Sequence, residues 1–195
     1  IGALETKNHY VENTEIPQFF NFFTILESTY GINTRVSKKT REFDVEHLRV
    51  AIDTVLERQG TLVLPAFSFS RSQELLTTLY LLFGEDETFT VPIVVDSMLT
   101  CDICDAYGNV LSDDDYELWN KVYNWENVKY IREKTDSQAC VLDNTPKIVI
   151  SSSGFCTNGR ILSYLTQYLK DINSMIIFSG FVGDNDSYLS YRIKN

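Results

Sequence analysis

Residues 146–162 read PKIVISSSGFCTNGRIL, and the fold turns on how that stretch divides. Residues 147–151, KIVIS, form a β-branched run without polar alternation, which predicts a strand buried on both faces. The run stops at three serines and Gly154, and from Gly159 to Lys170 an apolar pattern of helical spacing follows. A strand that ends in hydroxyls, facing the start of a helix, offers unpaired backbone N–H groups to an anion. Ser152, Ser153 and Thr157 add hydroxyl donors, Gly154 permits close backbone approach, and Arg160 is of the type that pairs with phosphate. An ordinary strand-to-helix turn uses the same Ser, Gly and Asn for its geometry. The stretch has no Gly-Lys-Ser/Thr ending, so a phosphate loop of the nucleotide-hydrolase kind is not supported.

The same grammar recurs along the chain. FFTILE (22–27), TLVLPA (61–66), VPIVVD (91–96), VKYI (128–131) and SMIIFSG (174–180) read as further strands, the fourth a minor one. Between them lie helical patterns: one opened by Asp44 and carrying Leu48, Ala51, Ile52, Val55 and Leu56, and one running to Gly84. The second begins at Ser70 and Gln73, a capping-box pair. Shorter helices are expected at 99–107 and 113–124, a last one from Asp186, and an irregular connection over 132–145. Apolar strands alternating with amphipathic helices predict an α/β domain, doubly wound, with a mainly parallel sheet and helices on both faces. Strand ends then share one edge, which would carry Glu27, Phe67, Asp96, Ser151–Ser153 and Ser179.

Composition narrows the function. With 44% hydrophobic and 23% charged residues, the 195-residue chain can bury a sizeable core and is not of the disordered class. No apolar run approaches the ~20 residues of a membrane span, so no membrane partner is expected. Four cysteines are too few for a disulfide scaffold, which favours a reducing, cytoplasmic setting. A formal net charge of -10 makes a poor sequence-independent binder of nucleic acid, so any basic surface must be local. The chain opens on Ile1 rather than methionine and reads as a segment of something longer, with 1–20 a connector and 21–195 the domain.

Other constellations are weaker. LESTYG (26–31) puts Glu27 at a strand end, where a carboxylate can orient a histidine, bind a metal or simply face solvent before a turn. Arg71, in PAFSFSRSQELL (65–76), opens a helix against the macrodipole, either for a ligand or for a neighbouring acid. Cys101 and Cys104 form a C-x-x-C without the second pair a structural zinc site needs, and read as buried packing residues. SDDDYE (112–117) reads as a cap followed by acids in a first helical turn. His9 and His47 are the only histidines, so a histidine-rich metal centre cannot be built from this chain alone.

Taken together, LESTYG, GTLVLPAFSFSRSQELL (60–76), VPIVVDSML (91–99) and PKIVISSSGFCTNGRILSYL (146–165) stand in the order and spacing of one family. They resemble the β-CASP domain, the Rossmann-like α/β insertion of metallo-β-lactamase-fold nucleases such as ribonuclease J and the 3′-end-processing endonucleases. The resemblance spans roughly 22–180. It implies a substrate-clamping domain of a zinc-dependent ribonuclease that acts in RNA processing or decay by phosphodiester hydrolysis. Glu27 matches the acidic residue that contacts a metal-site histidine, and Ser152, Ser153 and Gly154 match a block lining the cleft between domains. Thr157, Arg160 and Arg71, singled out above by their chemistry, are expected to join them in binding RNA or phosphate. Two zinc ions are expected in a flanking lactamase domain and none in this segment, which alone should be inactive.

The resemblance also has departures. After the last strand the family's Gly-Thr-rich segment is replaced by FVGDNDSYLSYR (181–192), and the family's later histidines are missing. An inactive β-CASP-like scaffold is therefore one alternative, and a free α/β domain binding a small phosphorylated ligand at 151–160 is another. RNA is the expected partner, and a homo-oligomer is compatible with the sequence.

Overall fold

A computed structural model describes residues 41–195. The expected 1–20 connector, the strand at 22–27 and Glu27 lie outside the described residues. The element order is α1 (Arg41–Glu57), β1 (Thr61–Pro65), α2 (Arg71–Phe83), β2 (Ile93–Asp96), α3 (Met98–Tyr107) and α4 (Asp113–Tyr123). It continues with β3 (Val128–Ile131), α5 (Lys134–Leu142), β4 (Lys147–Ser151), α6 (Ile161–Tyr168), β5 (Met175–Ile176) and α7 (Leu189–Lys194). Among the described residues the five strands make one sheet, ordered β3-β2-β4-β1-β5. Every pairing is parallel.

That order explains the two layers. From β1 through β2 to β3 the chain steps toward one edge, and from β3 through β4 to β5 it steps back. Because crossovers between parallel strands are right-handed, reversing direction moves the connecting helices to the other face. The core follows suit. Leu62, Leu64, Ile93, Val95, Ile148 and Ile150 pack with residues of α1, α2, α3 and α4. The intervening Val63, Val94 and Val149 pack instead with Val141 of α5 and with Ile161, Tyr164, Leu165 and Tyr168 of α6. Residues alternate between faces along a strand, so a strand covered on both sides must be apolar along its middle, as Leu62–Leu64 of β1, Ile93–Val95 of β2 and Ile148–Ile150 of β4 are. The doubly wound reading holds.

Several boundaries differ from expectation, each for a local reason. Residues 132–145 are not irregular, since Lys134–Leu142 is helical. Only Ser137 and Val141 of that helix are buried, so no apolar stripe announces it. β5 shrinks to Met175–Ile176, although Ile177 N–H still donates to the Val63 carbonyl at 3.0 Å. Ser70 and Gln73 form no capping box. Ser70 has φ +67° and makes no side-chain cap, while Gln73 Nε2 turns to the Ser68 carbonyl (3.1 Å) and Cys104 Sγ (3.2 Å). The helix expected from Asp44 starts at Arg41, and the last one begins at Leu189 rather than Asp186.

The cysteines behave as packing residues. Cys101 and Cys104 lie in the α1–α4 layer, and burial pushes the Cys104 thiol up to about 12. Cys156 is buried in the other layer and rises to about 11 for the same reason. At the N-terminal edge of the sheet, Lys147 is buried, with its ammonium donating to the carbonyls of Asp143 and Thr145.

Candidate functional site

The site is built where β4 ends. Its neighbours β1 and β2 send their following helices to one face, whereas β4 sends its loop and α6 to the other. Where adjacent strands part in this way, the loops leave a crevice outside the carboxyl ends of the strands, the place where open α/β sheets take ligands.

The loop 152–159 is folded on itself. Ser153 N–H donates to the Asn158 carbonyl (3.2 Å), Cys156 N–H to the Ser153 carbonyl (3.1 Å), and Ile161 N–H to the Ser152 carbonyl (3.3 Å). Gly159 has φ +86°, and a Cβ there would lie 2.3 Å from the Ser152 carbonyl oxygen, so only glycine closes this turn. At the rim, Thr157 N–H donates to Ser153 Oγ (3.2 Å), whose hydroxyl lies 3.4 Å from Thr157 Oγ1. Gly154 meets the β1 side: a Cβ would stand 3.0 Å from the Phe67 ring. The loop can therefore sit directly on Phe67, two residues beyond the end of β1.

Between the β1 loop and the β4 loop lies a cavity of about 130 Å³, lined among others by Phe67, Arg71, Gly154, Ser179 and Phe181. That volume suits a phosphate group or part of a nucleotide. Arg71 is half-buried at the start of α2 and has no ion-pair partner among the described residues. Ser179 Oγ is buried, with no hydrogen-bond partner among the described residues. Phe67 and Phe181 are 44% and 52% exposed, on either side of Phe155, whose ring centroid is 5.0 Å from Phe67 and 6.1 Å from Phe181. A guanidinium with no carboxylate partner among the described residues, beside two open rings, makes this crevice anion-attracting and apolar together, the combination that takes a phosphate with an attached base.

The sequence-derived residues divide three ways. Arg71 and Gly154 line the cavity. Ser153 and Thr157 sit on the loop rim beside it. Ser152 and Arg160 are turned inward and held by other groups of the fold. Ser152 Oγ donates to Ser97 Oγ at 2.8 Å. Arg160 Nη1 donates to Asp96 Oδ1 at 2.7 Å and to the Ile131 carbonyl at 3.0 Å, and Nη2 donates to the Arg132 carbonyl. The Arg160 guanidinium is an anchor.

Asp96 is the residue the sequence reading undervalued. It is fully buried at the end of β2, and its carboxylate accepts from Arg160, from Ser137 Oγ (2.6 Å) and from Tyr164 Oη (2.6 Å). Burial, followed by the hydrogen bond to Asp96, pushes the Tyr164 phenol far up, so it stays a donor. The available signal was an acid ending an apolar strand, VPIVVD, together with a lone arginine opening a helix, NGRIL.

Among the described residues no three His, Cys, Asp or Glu side chains are grouped to hold a metal ion. His47 lies on α1, its Nδ1 2.7 Å from the Phe43 carbonyl oxygen and its ring against Phe43. The residues described here do not fit a zinc centre.

Comparison with known proteins agrees with this architecture. The Beta-Casp domain family matches residues 72–186. The chain belongs to the Beta-Casp family. Its relatives include a transcription termination factor, FttA, of Methanocaldococcus jannaschii, 30% identical over 166 residues, covering 80% of this chain and 25% of the relative. An RNase J-like protein of the same organism is 30% identical over 161 residues, covering 80% of this chain and 36% of the relative. Endoribonuclease YSH1 of Saccharomyces cerevisiae is 24% identical over 185 residues, covering 89% and 23%. This Beta-Casp chain thus spans about a quarter to a third of the length of the relatives it matches.

Proposed function

We propose that this Beta-Casp chain is the RNA-clamping part of a metallo-β-lactamase-fold ribonuclease that acts in RNA processing or decay by phosphodiester hydrolysis. The observation that carries the reading is Arg71, without an acidic partner among the described residues, lining one cavity with the Gly154 loop at the strand ends. Arg71 would take a phosphate, and the open rings of Phe67 and Phe181 would take adjacent bases. The printed names of the relatives, an RNase J-like protein and an endoribonuclease among them, support RNA as the substrate class. Zinc ions and their ligands would be supplied by a flanking lactamase domain. Glu27, outside the described residues, keeps its proposed role in supporting a metal-site histidine. The four free thiols support a reducing, cytoplasmic setting.

A second reading has its own observation. The segment after β5 places exposed Asp184 and Asp186 beyond Phe181, and the chain's net charge is -10. Acid near an RNA path repels phosphate, which favours a Beta-Casp relative that serves as a scaffold without chemistry. One assay separates the two. Full-length protein incubated with end-labelled RNA and zinc is expected to cleave it, and Glu27→Ala is expected to slow cleavage far more than it weakens binding. RNA left intact by the wild type, with binding preserved, would establish the scaffold instead.

A further inference from the structure

We propose that Asp96 is a positioning residue that staples both ends of the hydroxyl-rich loop 152–159, fixing the wall of the cavity that Arg71 enters. The consequence for RNA rests on the clamping reading above, whereas the staple itself rests on the hydrogen bonds alone.

At the start of the loop, Ser151 Oγ donates to the Asp96 backbone carbonyl at 2.7 Å, and Ser152 Oγ donates to the next residue, Ser97, at 2.8 Å. At the end of the loop, Arg160 donates to the Asp96 carboxylate at 2.7 Å. One residue therefore holds the chain where it leaves β4 and again where it enters α6. Arg160 extends the tie to β3 through the carbonyls of Ile131 and Arg132. Ser137 from α5 and Tyr164 from α6 fill Oδ2, so the carboxylate has no freedom to turn away from Arg160.

Asp96 has 0% exposure and a donor on each oxygen, so it is closed to ligand and acts through the loop. A strand end buried this deeply packs as well with an apolar residue, and a buried ion pair is weak as a stability device. What the pair does supply is direction. Charge-assisted hydrogen bonds have narrow geometry, and three of them converge from α5, α6 and the residue opening α6. The loop they fix presents Gly154 to the cavity and the Ser153 and Thr157 hydroxyls to its rim.

The test uses full-length protein carrying Asp96→Asn, which keeps the shape and removes the charge. The Ser137 and Tyr164 hydroxyls can rotate to accept from the new amide, so the sheet survives. Hydrogen exchange of amides 153–160 is expected to quicken by about ten-fold or more while amides of β1 and β4 keep their protection. RNA cleavage is expected to lose about ten-fold in kcat with KM within about three-fold, because the reacting phosphate is held but misplaced. Arg160→Lys should do the same, and the double variant should be no worse than either single one, as parts of one device are non-additive. Unchanged loop exchange in folded Asp96→Asn, or fully additive effects, would overturn the staple. Should the wild type cleave no RNA, the clamping reading fails, while the exchange data still decide the staple. If Asp96→Asn does not fold, Tyr164→Phe and Ser137→Ala each remove one hydroxyl from Oδ2. Faster loop exchange in them supports the proposal, and none in either overturns it.

Discussion

Replacing Asp96 with alanine is expected to lower the unfolding free energy by about 3 kcal/mol or more, at the bottom of the range for breaking a buried ion pair. Asp96 is 0% exposed and the Arg160 side chain only 23%, so removing the acid leaves a cation half-shielded from water. The loss exceeds the worth of the pair, because Ser137 and Tyr164 also lose their acceptor inside the fold. The Arg132–Asp102 pair, with Asp102 on α3, is an internal control. Arg132 pairs with Asp102 at 2.6 Å, a shorter contact, yet the two side chains are 37% and 59% exposed. Asp102→Ala should therefore cost about 1 kcal/mol or less. Urea unfolding checks both, with the midpoint shifted and the slope unchanged for Asp96→Ala. Equal effects from the two substitutions would show that burial does not govern the Asp96 pair.

Charge reversal at Arg71 is the second large effect. Hydrogen bonds to charged groups are worth about 1.5–3 kcal/mol, so on the proposed clamping role losing the guanidinium alone is expected to weaken RNA binding by about 10- to 100-fold. Arg71→Glu adds repulsion in a half-enclosed crevice and should fall at or beyond the upper end of that range. The salt dependence identifies the contact. Each phosphate contact on a single strand contributes a slope of about 0.7 in log K against log salt, so Arg71→Ala should flatten the slope by about that amount. Arg160→Lys, a change at an inward anchor, should leave the slope alone even where it perturbs the loop. Binding titrations of full-length protein at several salt concentrations measure all three. An unchanged slope in Arg71→Ala would place the phosphate contacts elsewhere.

These contrasts show what the sequence could and could not convey. β1, β2 and β4 were legible because central parallel strands are apolar on both faces, and TLVLP, IVVD and KIVIS say so without help. α5 was not, because its burial is carried by Ser137 and Val141, one of them polar, and two residues make no stripe. The site was legible in composition and illegible in direction. Arg71 and Arg160 both open helices at strand-end loops, and local sequence cannot say which one finds a carboxylate. The answer lies 64 residues from Arg160, at Asp96, and only the strand order brings β2 beside β4. The same order decides that Ser152 meets Ser97 while Gly154 meets Phe67.

Photocrosslinking tests the central claim most directly. RNA carrying 4-thiouridine, irradiated with full-length protein and mapped by mass spectrometry, is predicted to mark peptides holding Phe67, Phe155 and Phe181, with yield falling sharply in Arg71→Glu. Crosslinks confined to the opposite edge of the sheet, around Asp143–Lys147, and indifferent to Arg71, would contradict it.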